Sequence, residues 1–285
     1  MSTTGTTAQP QGAGGGNNAG AGAGAPPVPG PWRRPLALAA RNLTVQVKAT
    51  PYIWISGLIE PFLYLLSIGL GLGHLVGKLP GPDGRPVAYA SFVAPGLLAT
   101  SAMNGAIAES TTNIFGKLHW TKLYQSVVAT PLAPADIALA EVGFAVARCT
   151  LYGAAFLGAM AAFGETSSWL ALLDVPVATL IGAAFASTGF AAACYMRSWT
   201  DFDKIQLVSM PLFLFSAIFY PLSTLPHWMA DVVRVLPLYP GVVLCRQLTL
   251  GQMTSGAPLD VVYLVALTAI ATAVGRRRVT KLLAP

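Results

Sequence analysis

The sequence predicts an all-α integral membrane protein, and three observations carry that prediction. Of 285 residues, 54% are hydrophobic and only 10% charged, against about 25% charged in an ordinary soluble domain; mean hydropathy is +0.60. Six stretches have the length and apolarity of helices that cross a hydrocarbon core about 30 Å thick, which takes about 20 residues. The basic residues gather in alternate connections between those stretches. This composition excludes a soluble globular enzyme, a nucleic-acid-binding protein and a disordered hub. The formal charge of +6 is therefore read for its placement, not its sum.

Residues 1–31 are built largely from Gly, Ala, Thr, Pro, Gln and Asn without a charge, and such a segment is expected to be a disordered cytoplasmic tail. It is not a cleavable signal, because the first bases, Arg33 and Arg34, follow the small residues instead of preceding an apolar run. Residues 32–285 are the expected membrane domain. From Pro35 to Thr50, Leu36, Leu38, Leu43, Val45 and Val47 alternate with Arg41 and Lys48, the pattern of an amphipathic helix on the membrane surface. The expected spans are 52–74, 90–114, 136–163, 170–195, 205–222 and 258–276. The fifth is short and runs into Pro221. Residues 223–250 are apolar but broken by Pro226, Asp231, Arg234, Pro237, Pro240 and Arg246. A lipid-exposed helix with those breaks would leave backbone groups unsatisfied, so a re-entrant or interfacial helical hairpin packed on protein is expected.

With a cytoplasmic N-terminus, the inner segments hold Arg33, Arg34, Arg41, Lys48, Lys117, Lys122, Arg197, Lys204, Arg276, Arg277, Arg278 and Lys281. The outer segments hold Lys78, Arg85, Arg234 and Arg246, and Arg148 lies within a span. That bias places both termini in the cytoplasm. Cys149, Cys194 and Cys245 are isolated and odd in number, as buried small hydrophobes would be.

No phosphate-cradling loop is present: Gly77-Lys78 and Gly116-Lys117 are each followed by Leu and lack the upstream glycine. His74, His119 and His227 match no metal-ligand spacing, and no nucleophile elbow occurs. No catalytic, metal or cofactor site is expected in the chain. Its energy source is then an ion gradient or another polypeptide.

Glu60, Glu109, Glu141 and Arg148 fall within expected spans, where ionisable groups are costly and are functional candidates. At about 1.5 Å rise per residue, Glu60 lies roughly 12 Å from the cytoplasmic helix end, Glu109 and Glu141 roughly 8 Å, and Arg148 roughly 18 Å. Glu141 and Arg148, two turns apart, share a helix face. Two readings stand: a gate at the inner mouth of a pathway, or pairs that hold helices together. Gly69, Gly71 and Gly73 include a GxxxG spacing that permits close helix approach, a weak indication of a dimer face. Trp54, Trp169 and Trp228 sit where an interfacial belt belongs.

In the second-to-third loop, Trp120, Leu123 and Val127 form an apolar stripe with Lys117 and Lys122 left for solvent, closed by Thr130-Pro131. Pro134 and Asp136 suit the start of the next helix. The stripe can dock into a partner's groove or lie on the membrane.

Four passages carry a family resemblance: Glu60-Pro61-Phe62-Leu63-Tyr64-Leu65 with Gly69 to Gly73; Ala94-Pro95-Gly96-Leu97-Leu98 leading to Glu109; Ala129-Thr130-Pro131-Leu132 with Asp136, Ile137 and Glu141; and Phe219-Tyr220-Pro221-Leu222 through Pro226-His227-Trp228, with Leu236-Pro237-Leu238 and Arg246. The proline-punctuated last passage is the most specific. On these the chain resembles the type-2 ATP-binding-cassette export permeases, in the branch of lipo-oligosaccharide and multidrug exporters of bacteria.

The resemblance implies six spans, an elbow helix before the first, and an extracellular hairpin containing Tyr220, Pro221, Pro226, Trp228, Pro237 and Arg246. It implies a coupling helix carrying Lys117, Leu118, Trp120, Lys122, Leu123 and Tyr124. It further implies a second permease copy or homologue and two ATPase subunits that bind ATP and Mg, in a bacterial cell membrane. The expected cargo is a lipid-like, glycolipid or amphipathic drug substrate. The alternatives are an ion-coupled secondary transporter using Glu60, Glu109 or Glu141 as proton carriers, and a membrane scaffold that transports nothing.

Overall fold

The computed structural model describes residues 44, 59, 62–81, 84–120, 124 and 134–283. The tail, the elbow segment apart from helical Thr44, Glu60, Lys122 and Leu123 lie outside the described residues.

The described part of the first span, α1, is helical over 62–76, with a π-helical stretch at Ile68–Leu72. It stops at Gly77, whose φ of 73° suits a residue without a Cβ. A two-stranded hairpin follows, β1 (Lys78–Pro80) and β2 (Pro86–Ala88), antiparallel with Leu79 opposite Val87. This short hairpin is a local addition to a mostly helical chain, in keeping with the all-α expectation. Pro80-Gly81 and Gly84 are turn residues, and Gly84 has a φ of 80°.

Helix α2 starts as Tyr89–Ala108 and continues through π-helical stretches at Glu109–Asn113 and Gly116–Trp120, so that one helical run spans Tyr89–Trp120. The described half of the expected coupling helix is thus an extension of α2. Helix α3 is Pro134–Ala162. A 3-10 turn, Trp169–Leu173, leads into α4, Asp174–Ala193, and Ser168 caps the turn by accepting the Leu170 N–H at 3.2 Å.

Helix α5 is Asp201–Phe215. The span expected to reach residue 222 therefore ends at Phe215. The Ser216 hydroxyl donates to the Leu212 carbonyl at 2.5 Å, and Ala217 adopts a φ of 53°, which an α-helix cannot contain. Beyond the break come α6 (His227–Val235) and α7 (Tyr239–Leu250), bent by 91°. Pro240 sits in the first turn of α7, where its missing N–H costs nothing, and Gly251 at φ 71° ends it. The last helix, α8, is Ala257–Leu283.

Among the described residues, four helices are long and apolar enough to cross a membrane: Tyr89–Trp120, Asp136–Ala162, Trp169–Ala193 and Ala257–Leu282. The bent pair α6–α7 makes a fifth if it counts as one span. Helix α5, with 15 residues, is about 22 Å long and falls short of a full crossing.

Helix α4 is the centre: α2, α3, α7 and α8 all pack on it. Small residues permit the approach. A Cβ on Gly182 would stand 2.7 Å from the Cβ of Cys149, and one on Gly189 would collide with the Ser110 hydroxyl. Two apolar clusters result, a large one around Val93, Met103, Ile181 and Cys245, and a smaller one around Ile114, Tyr124, Ile137 and Phe190. All three cysteines are free and buried. By contrast, Leu207 on α5 and Leu259 on α8 are each 74% exposed, so their outer faces are left for lipid or another protein. Gly69 and Gly71 likewise have no described atom within contact of a Cβ.

Gly182→Leu should overpack the α3–α4 seam and cost about 1–3 kcal/mol, whereas Gly143→Leu, at a position with open space, should be tolerated. Thermal midpoints of the detergent-purified variants check this; equal midpoints would contradict the packing described.

Candidate functional site

The charges on α2 and α3 meet as two rungs. The Arg148 guanidinium on α3 is ion-paired and hydrogen-bonded to the Glu109 carboxylate on α2. The Asn113 amide, one turn along α2, donates to the other Glu109 oxygen. Arg148 Nε donates to the Tyr152 hydroxyl at 3.3 Å. The second rung is Lys117 Nζ, 2.9 and 2.7 Å from the two oxygens of Glu141. Along α2 the two anchoring residues are roughly 12 Å apart and along α3 roughly 10 Å, as antiparallel helices bridged at two heights require. Both carboxylates are buried, at 8% and 5% exposure. Such paired charges hold two helices at one register, and breaking one member leaves an uncompensated charge.

Sequence spacing put Glu141 and Arg148 on one face, and they do share it, but each takes a partner from α2. Lys117, expected toward solvent, is instead turned in to Glu141, because that carboxylate would otherwise be buried alone. Leu118 packs against the smaller apolar cluster and Trp120 is 64% exposed. Tyr124 is 1% exposed, so it fastens the loop to the core rather than presenting a surface. Burial first, and the Glu141 carboxylate second, hold its hydroxyl well above the ordinary phenol range.

An aromatic cluster that sequence reasoning missed ties this end of α2 to the α4–α5 turn. Trp120 stacks on Trp199 with ring centroids 5.4 Å apart. Phe115 stacks on His119 at 4.4 Å and meets Phe202 edge-on at 5.4 Å. No spacing in the sequence links residue 120 to residue 199. The Asn113–Glu109 and Tyr152–Arg148 contacts, by contrast, are both i, i+4 pairs and could have been found that way. The turn itself is ordered by Asp201, whose carboxylate accepts from the backbone N–H groups of Arg197 (2.8 Å) and Ser198 (3.1 Å) and from Lys204 Nζ at 2.5 Å.

Of the hairpin residues, Pro221 and Pro226 flank the short turn Leu222–Thr224, Tyr220 donates to the Leu214 carbonyl at 3.2 Å, and Pro237 lies between α6 and α7. Trp228 is 70% exposed and Trp169 78%. Arg246, counted among outer-surface bases, is only 6% exposed. It sits on α7 beneath Phe92 and reaches back to the break after α5.

Two measurements check this geometry. Arg148→Met should lower the yield of folded protein by taking the guanidinium away from the buried Glu109 carboxylate, a cost of about 3–5 kcal/mol. The double variant Arg148→Met with Glu109→Gln should recover much of the loss. No recovery would show that Arg148 acts outside this pair. The Lys204 ammonium and the two backbone donors hold the Asp201 carboxyl below the usual range. A depressed carboxyl stabilises the fold above its ordinary value near pH 4 and loses that contribution as pH falls through the folded-state value. Asp201→Ala should therefore lower the thermal midpoint at pH 7 and converge on the wild type as acid is added.

The sequence matches the family described as ABC-2 type transporter over residues 35–250. It is 32% identical over 252 residues to Nodulation protein J of Rhizobium leguminosarum bv. viciae, covering 86% of this chain and 95% of that one. Against Nodulation protein J of Rhizobium meliloti (strain 1021) it is 30% identical, over 85% and 93% of the two chains. The Inner membrane transport permease YadH of Escherichia coli (strain K12) is 24% identical, over 65% and 72%. A family match over most of the chain, with apolar helices of spanning length and two buried ion-pair rungs between them, makes the chain a membrane subunit, not the ATPase, of an ATP-binding-cassette transporter: it belongs to the ABC-2 type transporter family.

Proposed function

We propose that the chain is the permease of an ATP-driven exporter that moves a lipid-like, glycolipid or amphipathic substrate outward, with both termini in the cytoplasm. The nucleotide and its Mg belong to a separate ATPase subunit in two copies, and a second permease completes the pathway. The observation that carries this reading is the construction at the end of α2. Lys117 is latched to Glu141 on α3 while Trp120, three residues on, stacks on Trp199 before α5. A force applied by a partner to this end of α2 would reach α3 through the ion pair and α5 through the aromatic stack. Coupling of this kind requires the partner to bind two permease states with different affinity.

The substrate class rests on the resemblance to lipo-oligosaccharide and multidrug exporters and on the similarity to proteins named for nodulation. In this reading Glu109 and Glu141 hold helices together through Arg148 and Lys117 instead of carrying protons.

The test is co-purification of the tagged chain with its ATPase, followed by transport in vesicles. Export should stop on ATP depletion and survive collapse of the proton gradient; the opposite pattern would overturn the exporter reading. Lys122→Glu should uncouple ATP hydrolysis from export while leaving the thermal midpoint of the permease unchanged, and Trp120→Ala should uncouple it with a small drop in midpoint from loss of the stack on Trp199. Undiminished export would remove those side chains from the coupling role.

A further inference from the structure

At the end of α2 remote from the ion-pair rungs, a cleft of about 490 Å³ opens between the β1–β2 hairpin and the α5–α7 connection; its lining includes Gly81, Phe92, Ser223, Tyr239, Arg246 and Gln247. Phe92 and Lys117 are 25 residues apart on one helical run, roughly 37 Å, so this cleft faces the opposite side of the protein from the coupling end.

Arg246 is the unusual member. Its Nε donates to the Phe92 carbonyl at 3.1 Å, and one Nη donates to the Ala217 and Ile218 carbonyls at 2.9 and 3.2 Å. The guanidinium lies 3.7 Å from the centroid of the Phe92 ring. The acceptors are all neutral. The other Nη donates to no atom of the described residues, and Arg246 lines the cleft. Asp174 and Asp260, on the helices packed against α7, form no ion pair among the described residues; Asp174 accepts instead from Thr249 at 2.6 Å. Among the described residues, no carboxylate lines the cleft. Beside Arg246, Gln247 is 3% exposed, and its Oε1 accepts from the Thr254 N–H at 3.3 Å while its amide nitrogen donates to no acceptor among the described residues. A full positive charge, almost wholly buried and ion-paired with no carboxylate among the described residues, is costly. Arg246 and Gln247 line the same cleft, and each keeps a donor that no described residue engages.

We propose that this cleft binds a phosphate-type oxyanion, held by the free guanidinium nitrogen of Arg246 and the amide of Gln247. The planar guanidinium suits such an oxyanion, and the volume admits the group together with a glycerol- or sugar-sized substituent. The oxyanion comes either from a phospholipid headgroup or from a soluble phosphate. The proposal does not depend on what the protein exports.

The test uses the full chain in neutral maltoside detergent. Thermal midpoints are measured with dihexanoyl phosphatidylglycerol against dihexanoylglycerol, and with inorganic phosphate against chloride at equal ionic strength. Wild type should gain several degrees from a phosphate-bearing probe over its control. In Gln247→Glu the new carboxylate keeps the acceptor for Thr254 and gives Arg246 a resident counter-ion. This variant should fold, with an unliganded midpoint at or above wild type and a response weakened at least tenfold in probe concentration. A response to phosphatidylglycerol alone assigns the site to lipid, and a response to inorganic phosphate assigns it to a soluble oxyanion. Ser223→Asp at the exposed rim serves the same purpose if Gln247→Glu does not fold. No specific response in wild type, or an equal response in the carboxylate variant, would overturn the proposal.

Discussion

The Glu109–Arg148 ion pair is the contact on which the arrangement of α2 depends. A helix of this family's length can slide or rotate against its neighbours with little apolar penalty, because lipid tails and leucine side chains are equivalent surroundings. A buried carboxylate cannot slide. It must stay against its guanidinium, and Lys117–Glu141 repeats the constraint at a second height. Two points of attachment fix both the register and the rotation of α2 against α3, which one would not. Glycines on α4 then bring α2 and α3 into contact with the same central helix, with Gly189 facing Ser110 and Gly182 facing Cys149. The polar contacts set the register and the small residues use it.

Much of this architecture was legible in the sequence, for reasons that differ from element to element. The stretch expected at 136–163 emerges as Pro134–Ala162, because a mainly apolar run opened by proline and closed before glycine has few other ways to satisfy its backbone in lipid. The fifth span was over-extended because the feature that stops it is not a helix breaker in composition. Ser216 and Ala217 are ordinary membrane-helix residues, and the break depends on Arg246, 29 residues along the chain, to occupy the exposed carbonyls. The β1–β2 hairpin was overlooked because three-residue strands carry no periodicity. Among the candidate site residues, Glu109, Glu141 and Arg148 were visible as charges out of place. Their partners were not, since the lysine that completes one pair lay in what reads as a solvated loop.

Arg246 shows why counting positive charge along a chain orients a membrane protein without locating each charge. A surface arginine and a buried one contribute equally to such a count, yet this one serves as an internal cap for a helix terminus contributed by a distant segment. Helix ends expose carbonyls that need donors; in water these are satisfied at no cost, and in an apolar interior they need a side chain that brings several donors at once. Guanidinium does this and ammonium does it less well.

The two ends of α2 therefore use the same amino acid in opposite ways. At one end Arg148 is neutralised by a carboxylate, and the pair holds helices together while adding no net charge. At the other, Arg246 satisfies carbonyls, which are dipoles, so the backbone is capped but the charge persists. Replacing a carboxylate by carbonyls leaves a positive potential in a low-dielectric setting, where it extends further than in water. That potential is the physical link between the break after α5 and the cleft beside it: the same side chain that permits the helix to end also fixes the sign of whatever the cleft attracts.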